Sequence, residues 1–211
     1  MKYFVSEEVF DVLPHYMVGV VAATGIEPLR KSQAVAELFA KAQAQAAEKY
    51  RGVKVKEQSE LAAYREAFRA VGINPNKYPS SIEALLTRIS KGKMLTSITP
   101  LVDLGNAASL LESVPIGAHA VDALAEGTLG VRRAREKTIP SCRSARRLRK
   151  RRTSERLCTH PVRPCVRAGF YGGKANSVKS RPKRKIFFTF WTDFPIAVKI
   201  WNAGVTFWQN T

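Results

Sequence analysis

Residues 79–111 read PSSIEALLTRISKGKMLTSITPLVDLGNAASLL, and the fold class is decided on this stretch. Ser80 and Glu83 stand at capping-box spacing. Ile82, Leu85, Leu86 and Ile89 follow on one helical stripe that Gly92 ends. Thr99-Pro100 opens a second helix, because proline loses nothing at a first helical position, whose N–H has no partner in any case. Leu101, Leu104, Ala108 and Leu111 then keep the helical period. Two successive capped helices exclude an all-β domain.

Working outward, the segment from Ser32 is rich in Ala, Gln, Glu and Lys, places Val35, Leu38, Phe39 and Ala42 on one face, and stops at Gly52. Another helix is expected from about Gln58 to Val71, with Leu61, Tyr64, Phe68 and Val71 on its stripe; Gly72 ends it and Asn74-Pro75 breaks the chain. Arg65 and Arg69 share the adjoining face, four residues apart. Tyr3–Val5 and Met17–Ala23 have the composition and length of strands, with a short helical turn between them. Beyond Pro115, Ile116–Leu124, the Glu126-Gly127 turn and Thr128–Arg133 predict a hairpin that completes the sheet. The expected fold is mixed α/β (α+β): a mixed sheet with about four helices, followed by an irregular or disordered basic tail.

The charge divides the chain at the same place. Residues 1–131 hold 14 Lys+Arg against 14 Asp+Glu, whereas residues 132–211 hold 21 against three, so the whole net charge of +18 belongs to the tail. All three cysteines lie there too, and three cannot all pair within one chain, so free thiols are expected. Cys142, Cys158, His160 and Cys165 supply the elements of a zinc site, but a Cys-x-His step without a paired Cys-x-x-Cys is poor spacing. No metal and no cofactor is expected.

Met1–Leu13 carries acids where a cleavable apolar leader would be apolar. Met17–Ala23 is far shorter than the about 20 residues a membrane helix needs. The aromatic group Phe187, Phe188, Phe190, Trp191, Trp201 and Trp208 has no clean helical period for an interfacial segment. The expectation is a cytoplasmic protein with no membrane partner.

Tyr64-Arg65-Glu66-Ala67-Phe68, Gly72-Ile73-Asn74-Pro75, Pro79–Arg88, Pro100–Leu110 and Pro115-Ile116-Gly117-Ala118 stand in one order and spacing. In these blocks the chain resembles the editing and tRNA-binding domain of the phenylalanyl-tRNA synthetase beta subunit, the unit of its third and fourth B modules, and more closely its free-standing single-domain relatives. The resemblance implies a domain that accepts the charged 3′ end of tRNA and, if active, hydrolyses mischarged aminoacyl-tRNA as a deacylase. It does not imply a complete aminoacyl-tRNA ligase.

The candidate tRNA- and aminoacyl-binding residues are Arg65, Asn74, Arg88, Lys93, Asp103, Asn106 and Gly117. Arg65, Arg69, Arg88, Lys91 and Lys93 either meet phosphates or form ordinary solvated faces, and Asp103 with Asn106 either bonds a ribose or aminoacyl group or holds the following loop. The synthetase domain usually brings a histidine two residues after the counterpart of Pro115. Gly117 stands there, and His119 reaches the position only by a shift. No catalytic residue is assigned, and Asn106 with backbone groups is left to position a water. His15 reads as a partly buried polar residue.

After Arg135-Glu136 the family pattern gives way to arginine-rich sequence. Codons permitted for Arg167–Asn176, read one nucleotide out, spell Arg-Arg-Phe-Leu-Trp-Arg-Gln; those for the stretch around Pro182–Phe188 allow Pro-Glu-Thr-Lys-Asn-Ile-Phe; and those for Trp191–Ala197 allow Asp-Gly-Phe. Three family-like blocks in one frame and in the expected order predict a frameshift near residue 136. On that reading residues 1–135 are an editing-type domain incomplete at its C-terminus, and residues 136–211 are out of frame. Two alternatives stand beside it: a basic nucleic-acid-binding protein acting through residues 136–211, or a product with no function. A disordered basic tail, within the residues 132–211 that carry the +18, binds polyanions non-specifically under any of these readings.

Overall fold

The computed structural model describes residues 2–27, 29–120 and 128–133, together with the backbone of three further strands in the last third of the chain. The fold is mixed α/β, as the patterning predicts. β1 (Lys2–Val5), the single-turn α1 (Glu7–Phe10) and β2 (Met17–Ile26) precede the helices α2 (Gln33–Tyr50), α3 (Ser59–Ala70), α4 (Ser81–Ser90) and α5 (Pro100–Glu112). Then come β3 (Ile116–Ala120), β4 (Thr128–Arg133), β5 (Leu157–Pro161), β6 (Arg184–Thr192) and β7 (Thr206–Trp208).

The helices start and stop where their own residues direct. Ser32 Oγ accepts the Val35 N–H, and Thr99 Oγ1 accepts the Val102 N–H behind a proline at the first turn of α5. Ser80 Oγ accepts the Glu83 N–H at 3.3 Å, but the Glu83 carboxylate does not turn back to close the capping box; it joins Arg65 instead. α3 and α4 end alike. Gly72 and Gly92 adopt φ of 73° and 72°, Ile73 and Lys93 N–H reach back to the Phe68 and Arg88 carbonyls, and each left-handed glycine closes its helix. The apolar stripes meet in one core, where Leu61, Ile82 and Leu86 are wholly buried and Tyr50, Phe39, Phe68 and Ile89 pack around them.

Two sheets flank this core. One has strand order β1-β4-β5, with β4 parallel to β1 and antiparallel to β5; the other has order β3-β6-β2-β7, all antiparallel. The predicted hairpin of Ile116–Leu124 with Thr128–Arg133 is therefore overturned: β3 and β4 lie in different sheets. Its turn, at Glu126-Gly127, lies outside the described residues.

The reason is the company β4 finds. Leu129 and Val131 are buried, Ser6 N–H donates to the Val131 carbonyl at 3.0 Å, and Arg133 N–H donates to the Glu8 carboxylate at 3.0 Å. Partners more than a hundred residues away outweigh a two-residue turn signal. In the same sheet Gly130 sits opposite Phe4, and a Cβ there would overlap the Phe4 ring. β2 runs three residues beyond the predicted Ala23, through an irregularity between Ala23 and Ile26.

Candidate nucleic-acid interface

The seven residues expected to bind tRNA fall in three places. Arg65 and Asn74 belong to the junction of α3 with α4. Arg65 is buried, its Nη1 donating to Glu83 Oε1 at 2.6 Å and its Nη2 to Asn76 Oδ1 at 2.5 Å. Asn74 shapes the turn that presents Asn76: its Oδ1 accepts the Asn76 N–H, and its carbonyl accepts the Lys77 and Tyr78 N–H groups. The Arg65 guanidinium is thus committed inside the protein, while its neighbour Arg69 is exposed.

Burial pushes the Glu83 carboxyl above its ordinary value, and Arg65 and Lys56 pull it the other way. One Glu83 oxygen, Oε2, is buried without a hydrogen-bond partner among the described residues.

Arg88 and Lys93 stand at the end of α4, both exposed, with Lys91 between them. None of the three forms an ion pair among the described residues. Cations at a helix C-terminus are favoured by the helix dipole, so their position alone has a structural explanation.

Asp103, Asn106 and Gly117 lie along α5 and β3, which pack together. Asp103 is buried, its Oδ2 accepting from Ser97 Oγ at 2.5 Å and its Oδ1 from the Ile98 N–H at 3.0 Å. It therefore holds the loop that precedes α5. Asn106, one helical turn later, is half-buried, and its amide forms no hydrogen bond among the described residues. Gly117 and His119 project to one face of β3 and register with Thr189 and Phe187 of β6. His119 is half-buried, and burial lowers its pKa and so favours the neutral imidazole. His15 is exposed rather than partly buried.

Three groups that organise this surface escaped the sequence reading. Gln43 occupies a core position of α2 and accepts the Leu95 N–H at 2.6 Å; a polar residue among Phe39, Ala42, Ala46 and Tyr50 was its signal. Asn76 left no signal beyond its place in an Asn-Pro-Asn turn.

The third is the Tyr50 hydroxyl, which donates to Glu60 Oε1 at 2.7 Å and lies 3.4 Å from Ser113 Oγ, tying together the ends of three helices. Lys49 Nζ meets the same Glu60 oxygen at 2.7 Å. Burial alone would raise Glu60, but the hydrogen bonds from Lys49 and Tyr50 outweigh it and bring the carboxyl down to about 2.

Among the described residues no group of three or more His, Cys, Asp or Glu side chains could hold a metal, and no helix is long and apolar enough to cross a membrane. Cys142 and Cys165, and the side chains of Cys158 and His160, lie outside the description.

A capped helical layer with one mixed and one antiparallel sheet beside it makes a mixed α/β domain. Residues 63–194 match the B3/4 domain, found in the phenylalanyl-tRNA synthetase beta subunit, and the chain belongs to that family. The matched stretch takes in residues on both sides of the charge boundary. No curated protein and no solved structure matches the chain.

Proposed function

We propose that this protein binds the 3′ end of tRNA, with a preference for the aminoacylated form, and that any reaction it performs is hydrolysis of the aminoacyl ester. The observation that carries the reading is membership of the B3/4 family over residues 63–194. On this reading the work is divided. Arg88 and Lys93 are exposed and can meet phosphates, and Asn106 on α5 and Gly117 on β3 offer a half-buried amide and a half-buried backbone. Arg65, Asn74 and Asp103 act as positioning residues, because their polar atoms fix the turns around that surface. Hydrolysis would draw on a water held by Asn106 and backbone groups.

The test is binding of the purified chain to a panel of labelled aminoacyl-tRNAs and to the same tRNAs deacylated, with release of the amino acid followed in parallel. Tighter retention of at least one charged tRNA is expected. Equal binding of charged and uncharged forms, with release no faster than in buffer, would sink the reading.

A second reading is favoured by the placement of the +18 surplus wholly beyond residue 131: residues 136–211 bind nucleic acid by themselves, steeply in salt and blind to the acyl group. The frame reading explains that surplus without selection, and the coding DNA tests it directly. The alternative frame is expected to spell the three blocks named above, and a coding sequence that does not spell them ends the idea.

A further inference from the structure

The loop from Lys91 to Ile98 is pinned to the core at two points. Gln43, buried in α2, accepts the Leu95 N–H, and Asp103, buried in α5, accepts from the Ile98 N–H and Ser97 Oγ. Leu95 packs toward the core, while Met94, Thr96 and Ile98 around it are exposed. Arg88, Lys91 and Lys93 are exposed, and Met94 and Ile98 are 51% and 60% exposed. No acid lies between Arg88 and Ile98. Two large apolar side chains are thus held in water next to three cations that form no ion pair among the described residues, on a backbone that two buried side chains keep in place. Such a loop loses little conformational freedom on binding.

We propose that this ridge seats a single-stranded RNA segment, its phosphates on Arg88, Lys91 and Lys93 and a base face on Met94 and Ile98. The proposal rests on the tRNA-binding reading and says where on the domain the strand lies. Charge complementarity selects a polyanion. The exposed apolar pair then selects an unpaired strand, because a duplex presents phosphates and would leave Met94 and Ile98 in water, whereas an unstacked base has a flat apolar face to cover them. Helix-dipole stabilisation accounts for the cations but not for the apolar pair.

The full chain is tested with a short labelled RNA ending in CCA, and the tail's own binding is separated by a local readout: acetylation of individual lysines, read by mass spectrometry. The RNA is expected to protect Lys91 and Lys93. The triple change R88Q/K91Q/K93Q should lower the slope of log affinity against log salt by about 2, at about 0.7 per phosphate lost. Met94→Ala with Ile98→Ala removes apolar area that the base covers and should weaken binding about tenfold with the slope unchanged. All five side chains are exposed, so circular dichroism and Tm should stay near those of the parent.

Unprotected lysines overturn the ridge, as does an unchanged salt slope, or displacement of the RNA by polyglutamate as readily as by RNA. A ridge that passes in a chain indifferent to the acyl group leaves the ridge standing and removes the aminoacyl preference. An intact preference for charged tRNA in the ridge variants does the reverse.

Discussion

The helices and the sheets of this protein are encoded over different distances. Each of α2, α4 and α5 carries a side-chain cap within three residues of its start, and α3 and α4 carry their own glycine stops. The sheets borrow from far along the chain. β1 takes β4 as its partner, with Ser6 bonded to Val131 across 125 residues, and β2 and β3 meet through β6, which comes from the basic segment. A helical layer specified locally tolerates error elsewhere in the chain, whereas a sheet closed by distant strands depends on the whole sequence being right.

The largest expected effect therefore lies in β6. Phe188 registers with Val21 on one side and Ala118 on the other, so Phe188→Pro removes a ladder N–H in the middle of a four-stranded sheet. In a helix interior the corresponding change costs about 3 kcal/mol or more, and a central strand should suffer comparably. Hydrogen exchange of the Val18–Ala22 and Gly117–Ala120 amides reports it: their protection should disappear while that of α2–α5 persists. Identical exchange with and without the proline would mean that β2 and β3 do not use this strand.

Leu86→Ala tests the other side of the comparison. Leu86 is wholly buried at the centre of the helical core, and Leu→Ala at such sites costs about 2–5 kcal/mol. Chemical denaturation of the variant should show a loss near 3 kcal/mol, with every helix destabilised together. A loss under about 1 kcal/mol would show that the helices do not share one core.

The same division explains what could be read from the sequence. Ser80, Gly92 and Thr99-Pro100 announce α4 and α5 because a cap is a short-range hydrogen bond that competes with little else. The Glu126-Gly127 turn misled because the register of β4 depends on Leu129 and Val131 finding burial beside β1, which no local signal encodes. Of the candidate site, Arg88 and Lys93 were legible as exposed charge. Arg65 was not legible as a buried ion pair: its stripe position fits both faces of α3, and its partners Glu83 and Asn76 lie 18 and 11 residues away.

A smaller effect separates the hub at Tyr50 from the burial around it. Glu60 has a folded-state pKa of about 2, below the ordinary 4.5, so its contribution is fully present above about pH 4.5 and is lost as pH falls from there toward 2. The shift sets a ceiling of about 3 kcal/mol. Because the Lys49 side chain is 61% exposed, screening brings the expected value to about 1–2 kcal/mol. Glu83, raised by burial, works in the opposite direction over the same acid range, so the clean measurement is the difference between the parent and Glu60→Gln. Stability measured from pH 6 to 2.5 should converge for the two proteins at the acid end; curves that stay parallel would show that Glu60 is not held by this pair.

The smallest effect is expected at Ser113, where α5 ends with a non-glycine residue at φ 56°. Ser113→Gly relieves a left-handed conformation costing about 1 kcal/mol, but it loosens the unfolded chain by about as much and removes a hydroxyl 3.4 Å from Tyr50. These terms nearly cancel, so the denaturation midpoint should move by no more than about 0.5 kcal/mol in equivalent stability. A larger loss would mean that the Tyr50 contact is stronger than its length suggests and that the sharp entry into β3 depends on a side chain three helices share. A clear gain would show that helix termination, local even here, tolerates replacement of that contact.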